Sequence, residues 1–249
     1  MFEESLLQQR IAGRAHTDAA IGVLSLLGED ERQALADVTS SVQHVRAGAD
    51  LLRESATSQH LYLIVEGWAC RYAITRDGLR QLSALIFPGD VANVDALAAH
   101  RAGHGIRALS ALKVLAIGRQ HAAALADDYP AIARLFLDIA LKDHAILGRW
   151  MVCNGRLSAR RRLAHLLCEL SARCGRQGIN DGSFDMALTQ EQLGDVLGLT
   201  SVHVNRMMQE LRGDGFVVTD GRTVSIPDLR RLQHEGEFDP AYLRLRMAA

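Results

Sequence analysis

The chain has 249 residues, 48% hydrophobic and 23% charged, which excludes wholesale disorder and leaves room for one large domain or two ordinary ones. Its 28 basic and 29 acidic residues give a net charge of −1, so the molecule as a whole is no polycation. Residues 149–249 carry a mild basic excess that includes Arg160, Arg161 and Arg162, which permits a polyanionic partner without arguing for one.

No apolar run reaches the ~18–20 residues of a membrane span. The opening Met1-Phe2-Glu3-Glu4-Ser5 is acidic where a secretory signal needs a basic segment. These features predict a cytoplasmic protein with no membrane partner. The four cysteines, Cys70, Cys153, Cys168 and Cys174, contain no C-x-x-C pair and fit neither a zinc knuckle nor a disulfide framework.

Residues 1 to about 40 read as helical, with Ala20, Val23, Leu24 and Leu27 on one face and Glu29-Asp30-Glu31-Arg32 opening a further short helix. From Val42 to Ile117 the pattern changes to short apolar runs punctuated by glycine. Asp77-Gly78 lies between two such runs, the strongest short hairpin signal, because the central turn residues need positive φ. Several strands at this spacing predict a small all-β roll.

Pro130 stands where a first helical residue belongs. The long helix after it spaces Ile132, Ile139, Ile146 and Cys153 by seven, a pattern that predicts a seam against a second copy of the chain. Lys142 and Asp143 interrupt that seam, so a helix packed on its own domain is the competing reading. Asn154-Gly155 is read as the helix end, and Ser158 as the cap of a new helix through Leu163, Leu166, Leu167 and Leu170. Gly175, Gly178 and Gly182 mark a loop.

Residues 188–211 are the most informative. Thr189 with Gln192 forms a capping box before the apolar face Leu193, Val196 and Leu197. Gly198 permits a sharp turn. Thr200 caps a second helix with Val204, Met207, Met208 and Leu211 facing inward. Two short helices joined by a turn with glycine make a helix-turn-helix. A hairpin about Asp220-Gly221 follows and gives the winged form. Ser201, Val202, Asn205, Arg206 and Gln209 share the outward face of the second helix, the face that enters the major groove of double-stranded DNA. Arg206 is suited to a guanine, Asn205 to an adenine or a phosphate, and Val202 to a thymine methyl. Thr189, Thr200, Ser201 and His203 sit at helix N-termini, where backbone amides favour phosphates.

The order of roll, long helix and Leu-Thr-Gln-Glu-Gln-Leu…Leu-Gly-Leu-Thr-Ser-Val-His-Val-Asn-Arg resembles the Crp/Fnr family of bacterial transcription regulators. Arg46-Ala47-Gly48, Val65-Glu66-Gly67-Trp68 and Phe87-Pro88-Gly89-Asp90 share in the likeness. Glu237-Phe238-Asp239-Pro240-Ala241-Tyr242-Leu243 looks like the tail of one branch of that family. The resemblance implies an α+β protein: a cyclic-nucleotide-binding-like sensor at 19–128, a dimerisation helix and hinge at 129–157, a winged helix-turn-helix at 158–232, and a tail at 233–249. It also implies a homodimer on near-palindromic operators, RNA polymerase as a partner, and an effector sensed by the roll.

Family members that bind cyclic nucleotides carry Gly-Glu and then Arg-Ser or Arg-Thr in a phosphate cassette. Here the run is Gly89-Asp90-Val91-Ala92-Asn93-Val94-Asp95-Ala96-Leu97, then His100-Arg101-Ala102-Gly103-His104; the glutamate is absent and Arg101 is not followed by Ser or Thr, so cyclic AMP is not expected and no cofactor is assigned. The iron–sulfur branch needs an N-terminal cysteine cluster, yet no cysteine precedes Cys70. His100 and His104 would share a face only on a helix, and Gly103 and Gly105 predict a loop, so no metal site is expected. Cys153 is read as a packing residue. No phosphate loop, nucleophile elbow or metal motif points to an enzyme. The alternative function is a cytosolic signalling module in which the roll binds a ligand and the winged helix makes protein contacts.

Overall fold

A computed structural model describes residues 26–174 and 182–243. The expected helix face about Ala20, Val23 and Leu24, and the glycines at 175 and 178, lie outside the described residues. The chain forms two compact units, Met1–Thr75 with Ser83–Leu141, and Arg76–Leu82 with Lys142–Ala249.

In the first unit, α1 (Glu29–Asp37) places Glu29, Asp30 and Glu31 in its first turn, where the helix dipole favours negative charge. Seven strands follow: β1 (Thr39–Val45), β2 (Asp50–Leu52), β3 (His60–Glu66), β4 (Ala69–Ile74), β5 (Arg80–Ile86), β6 (Gly105–Ala108) and β7 (Leu112–Gly118). They form one sheet in the order β1-β7-β3 and another in the order β2-β6-β4-β5. β1 and β3 both run antiparallel to β7.

β3 is buried at five consecutive positions because it has a core on either side. Side chains of a strand alternate between its faces. Leu61, Leu63 and Val65 therefore join a cluster with Leu35, Leu125 and Phe136, while Tyr62 and Ile64 join Leu52, Ile86 and Ile106 inside the roll. Strand β7 divides likewise, with Leu115 and Ile117 on one side and Val114 and Ala116 on the other.

The roll is closed by α2 (Arg119–Asp128), a helix the strand-like reading up to Ile117 did not anticipate. Tyr129 ends it in an extended conformation, as a residue before proline prefers. Pro130 then opens α3 (Pro130–Arg156), which continues through Asn154-Gly155 and so ends two residues later than expected.

The seven-residue spacing on α3 runs along a face that packs within the single chain. Ile132, Leu135 and Phe136 belong to the first unit's own core and Ile139 packs against it. Ile146 and Cys153 are buried within the single chain as well. The expected dimer seam of Ile132, Ile139 and Ile146 thus meets a different environment: Ile132 and Ile146 are buried within the single chain, and Ile139 is half-buried against the first unit's core. The exposed apolar side chains of α3 are Leu137, Leu141, Leu147, Met151 and Val152.

The second unit centres on α4 (Ala159–Cys174), buried without a break from Leu163 to Ser171. Around it lie α5 (Gln190–Leu197), α6 (Ser201–Gly213) and α7 (Leu229–Glu235). A small sheet has the order β8-β10-β9, from β8 (Phe184–Asp185), β9 (Val218–Asp220) and β10 (Thr223–Ser225). Asp220 pairs with Thr223, so the wing turn is Gly221-Arg222, one residue beyond the expected Asp220-Gly221. β8 has only two residues and gives no alternation to read.

Candidate nucleic-acid interface

The helix-turn-helix is built by local hydrogen bonds that its sequence dictates. The Thr189 hydroxyl accepts from the Gln192 amide at 3.2 Å, and the Gln192 side chain accepts from the Thr189 amide at 2.9 Å, which completes the capping box. Gly198 ends α5 in the left-handed region with φ 64°. The Leu199 amide then donates to the Gly194 carbonyl at 3.0 Å. A Cβ on Gly194 would stand 2.5 Å from the Leu199 carbonyl oxygen, so the turn can fold back only over glycine. This second glycine was not singled out in the sequence; its signal is a glycine inside an otherwise regular apolar helix. Thr200 caps α6 by accepting from the His203 amide at 3.2 Å.

Helix α6 divides as its periodicity requires. Val204, Met207, Met208 and Leu211 are buried. Ser201, Val202, Asn205, Arg206 and Gln209 are exposed together, as are Thr189 and Thr200, and His203 is half-buried. Val202 is 78% exposed, an apolar side chain in solvent at the first turn of a helix. The Arg222 side chain at the wing tip is exposed and reaches the Met186 carbonyl at 3.4 Å.

The basic triplet does not join this face. Arg160 bonds Asp214 at 2.6 Å and Glu235 at 2.8 Å, and Arg161 bonds Glu237 at 2.7 Å. Arg162 donates to the Leu157 carbonyl at 2.9 Å and the Leu197 carbonyl at 3.1 Å. These three side chains tie α4 to its neighbours.

In the roll, the turn from Phe87 to Ala92 is held by backbone hydrogen bonds. The Gly89 amide donates to Ile64 at 2.8 Å, the Asp90 amide to Phe87 at 3.0 Å and the Ala92 amide to Tyr62 at 2.7 Å. The Asp90 carboxylate accepts from the Phe87 amide at 3.0 Å, and Arg71 Nε donates to the Ala92 carbonyl at 2.7 Å.

His100 is exposed, and His104 is half-buried with Nδ1 3.8 Å from Asp95, in a segment that is a loop. Among the described residues no three His, Cys, Asp or Glu side chains gather as a metal site. Burial raises the Cys153 thiol and pushes Cys168 and Cys174 up to about 12, which disfavours the reactive thiolate. Among the described residues no helix is long and apolar enough to cross a membrane.

A β-roll followed along the chain by a winged helix-turn-helix is the architecture of a DNA-binding regulator. Residues 42–129 match the cyclic nucleotide-binding domain and residues 161–235 the Crp-like helix-turn-helix domain. The chain is 26% identical over 216 residues to the transcriptional activator protein FnrL of Cereibacter sphaeroides, spanning 85% of this chain and 86% of that protein. It is 22% identical over 200 residues to the fumarate and nitrate reduction regulatory protein of Vibrio cholerae, spanning 80% of each. The fold is similar to that of FixK2 from Bradyrhizobium japonicum, with a TM-score of 0.71 and 23% identity over 78% of this chain and 96% of that one. The chain belongs to the Crp/Fnr family, and it is a DNA-binding transcription regulator.

Proposed function

We propose that the protein reads a near-palindromic operator as a homodimer, with one α6 in each of two major grooves. The observation that carries this reading is the exposed cluster Val202, Asn205, Arg206 and Gln209 on a helix whose other face is fully buried. Arg206 would take a guanine through its O6 and N7, and Asn205 an adenine or a phosphate. Ser201, Thr189, Thr200 and His203 would meet phosphates at the two helix N-termini. Binding to a duplex by fluorescence anisotropy at several salt concentrations tests it. Counterion release predicts log affinity falling linearly with log salt, by roughly 0.9 per phosphate contacted. Affinity independent of salt would instead favour a module that acts through protein contacts.

The dimer seam is assigned to the exposed side of α3. Leu137, Leu141, His144, Gly148 and Met151 recur at spacings of four, three, four and three, the coiled-coil pattern, flanked by Leu147 and Val152. Leu137 is 54%, Leu141 48% and Met151 73% exposed, too much contiguous apolar surface for a face that stays in water. A Cβ on Gly148 would meet nothing within 4 Å in the single chain, which leaves room for a partner helix.

The roll is proposed to sense something other than cyclic AMP, because residues 89–97 contain no glutamate and Arg101 is followed by Ala102 rather than Ser or Thr. A protein that reads a promoter works in the cytoplasm beside RNA polymerase, the partner its occupancy would help or hinder.

A further inference from the structure

Only Leu157 and Ser158 separate α3 from α4, and they are not helical. Four backbone dihedrals would leave that junction free to swing, yet it is spanned by a buried polar network. Glu169 on α4 is 1% exposed. Its Oε2 accepts from the Trp150 indole on α3 at 2.8 Å and from the Tyr242 hydroxyl in the tail at 2.8 Å. Its Oε1 accepts from Arg173 at 3.0 Å. A buried carboxylate satisfied by three donors from three parts of the chain fixes their mutual geometry.

The tail is shaped for this place. His165 on α4 bonds the Gly236 carbonyl through Nδ1 at 2.9 Å, and its Nε2 lies 3.2 Å from the Tyr242 hydroxyl. A Cβ on Gly236 would lie 2.5 Å from the His165 backbone nitrogen, so the tail approaches α4 more closely than any other residue permits. Glu237 follows in the left-handed region with φ 49°, uncommon for a residue other than glycine. Its carbonyl accepts from Arg149 on α3 and its carboxylate bonds Arg161 on α4 at 2.7 Å. One tail residue therefore bridges both helices. Phe238 packs edge-on against His165, the ring centroids 5.2 Å apart.

We infer that residues 236–242 brace the α3–α4 junction, making Tyr242, Glu169 and Arg161 positioning residues that set the separation of the two half-sites the dimer accepts. The inference rests on the homodimeric operator reading. Each winged helix hangs from its own α3, beside the exposed Leu147 and Met151. The angle at the junction then sets how far α6 stands from the two-fold axis. A stiff junction accepts one half-site spacing, and a loose one tolerates its neighbours, while the bases read within each half-site stay the same.

The test is competition between duplexes whose half-sites are drawn one base pair closer or apart, using the full chain, Tyr242→Phe and Arg161→Gln. Both substitutions keep the bulk of the side chain, and circular dichroism checks that the fold is intact. The wild-type chain should prefer one spacing. Tyr242→Phe should shrink that preference by about fivefold, the ratio one hydrogen bond carries, with half-site base preference unchanged. Arg161→Gln, at a half-exposed ion pair, should shrink it less. An unaltered spacing ratio in a folded Tyr242→Phe would overturn the brace, even if overall affinity fell. A wild-type chain that selects no two-fold site at any spacing would instead overturn the operator reading, and the brace with it.

Discussion

Arg206 and Thr189 both face outward at the reading face, but their loss should be felt differently. Arg206→Ala removes a bidentate base contact from each half-site, so specific binding should weaken by about 1–3 kcal/mol per half-site and preference relax at one symmetric base pair. Thr189→Ala should weaken all duplexes alike, and it also removes a cap worth about 1 kcal/mol of helix stability. Competition with operators altered one pair at a time separates the two. His165 carries a different prediction. Burial first of all, partly offset by its bond to Gly236, holds its imidazole below the usual 6.5. The folded state thus binds fewer protons there than the unfolded chain. Stability from this group is complete above about 6.5 and lost as pH falls below it, by up to about 1.4 kcal/mol per pH unit. Thermal unfolding followed from pH 7.5 down to 5 should show that slope, and His165→Gln should remove it. Local contacts such as Thr189 with Gln192 were legible in the sequence because the partners are three positions apart. The Trp150–Glu169–Tyr242 network was not, since its members lie 19 and 73 residues apart and only folding brings them together.

At the scale of elements, α3 shows what periodicity can and cannot tell. Both Ile132-Ile139-Ile146 and Leu137-Leu141-Met151 follow helical spacing, on opposite sides of one helix. The pattern reveals that both faces are apolar, but which one covers the chain's own core depends on where the strands lie. Two substitutions tell them apart. Met151→Asp should leave a folded chain that sediments as a monomer and loses operator affinity, because independent half-sites forgo their effective-concentration gain. Ile139→Asp should instead destabilise the first unit by several kcal/mol, since it buries an unpaired charge against that unit's core. A monomer from Ile139→Asp with unchanged thermal stability would return the seam to the isoleucines. The wing illustrates a smaller limit. Asp-Gly located the hairpin, but pairing of Asp220 with Thr223 moved the turn by one residue and put Arg222 at its tip. The strand at Phe184-Asp185 is defined by its partner β10 and by no pattern of its own.

The whole chain carries a roll with its own buried cluster, Tyr62, Ile64, Ile86 and Ile106 among it, and a winged helix whose second helix keeps one face exposed. Calorimetry with cyclic AMP should show no binding in the micromolar range, because residues 89–97 offer no glutamate for the ribose and Arg101 lacks the Ser or Thr that follows it in cyclic-nucleotide-binding members. Heat of binding in that range would mean that other residues of the roll hold the phosphate and the ribose. The architecture was legible in the sequence because each part carries a signal its physics requires: glycine-punctuated strands, a proline-headed helix, two caps about a glycine turn. The effector was not, because a sensor fold does not name its ligand. The central claim, sequence-specific reading by α6, is tested most directly by selecting duplexes from a randomised pool with the wild-type chain and with Arg206→Ala. The account predicts that the wild-type chain enriches two inverted half-sites with a guanine at a symmetric position, and that Arg206→Ala loses preference at that position alone. Enrichment of no common sequence, or an Arg206→Ala pool identical to the wild-type one, would contradict it.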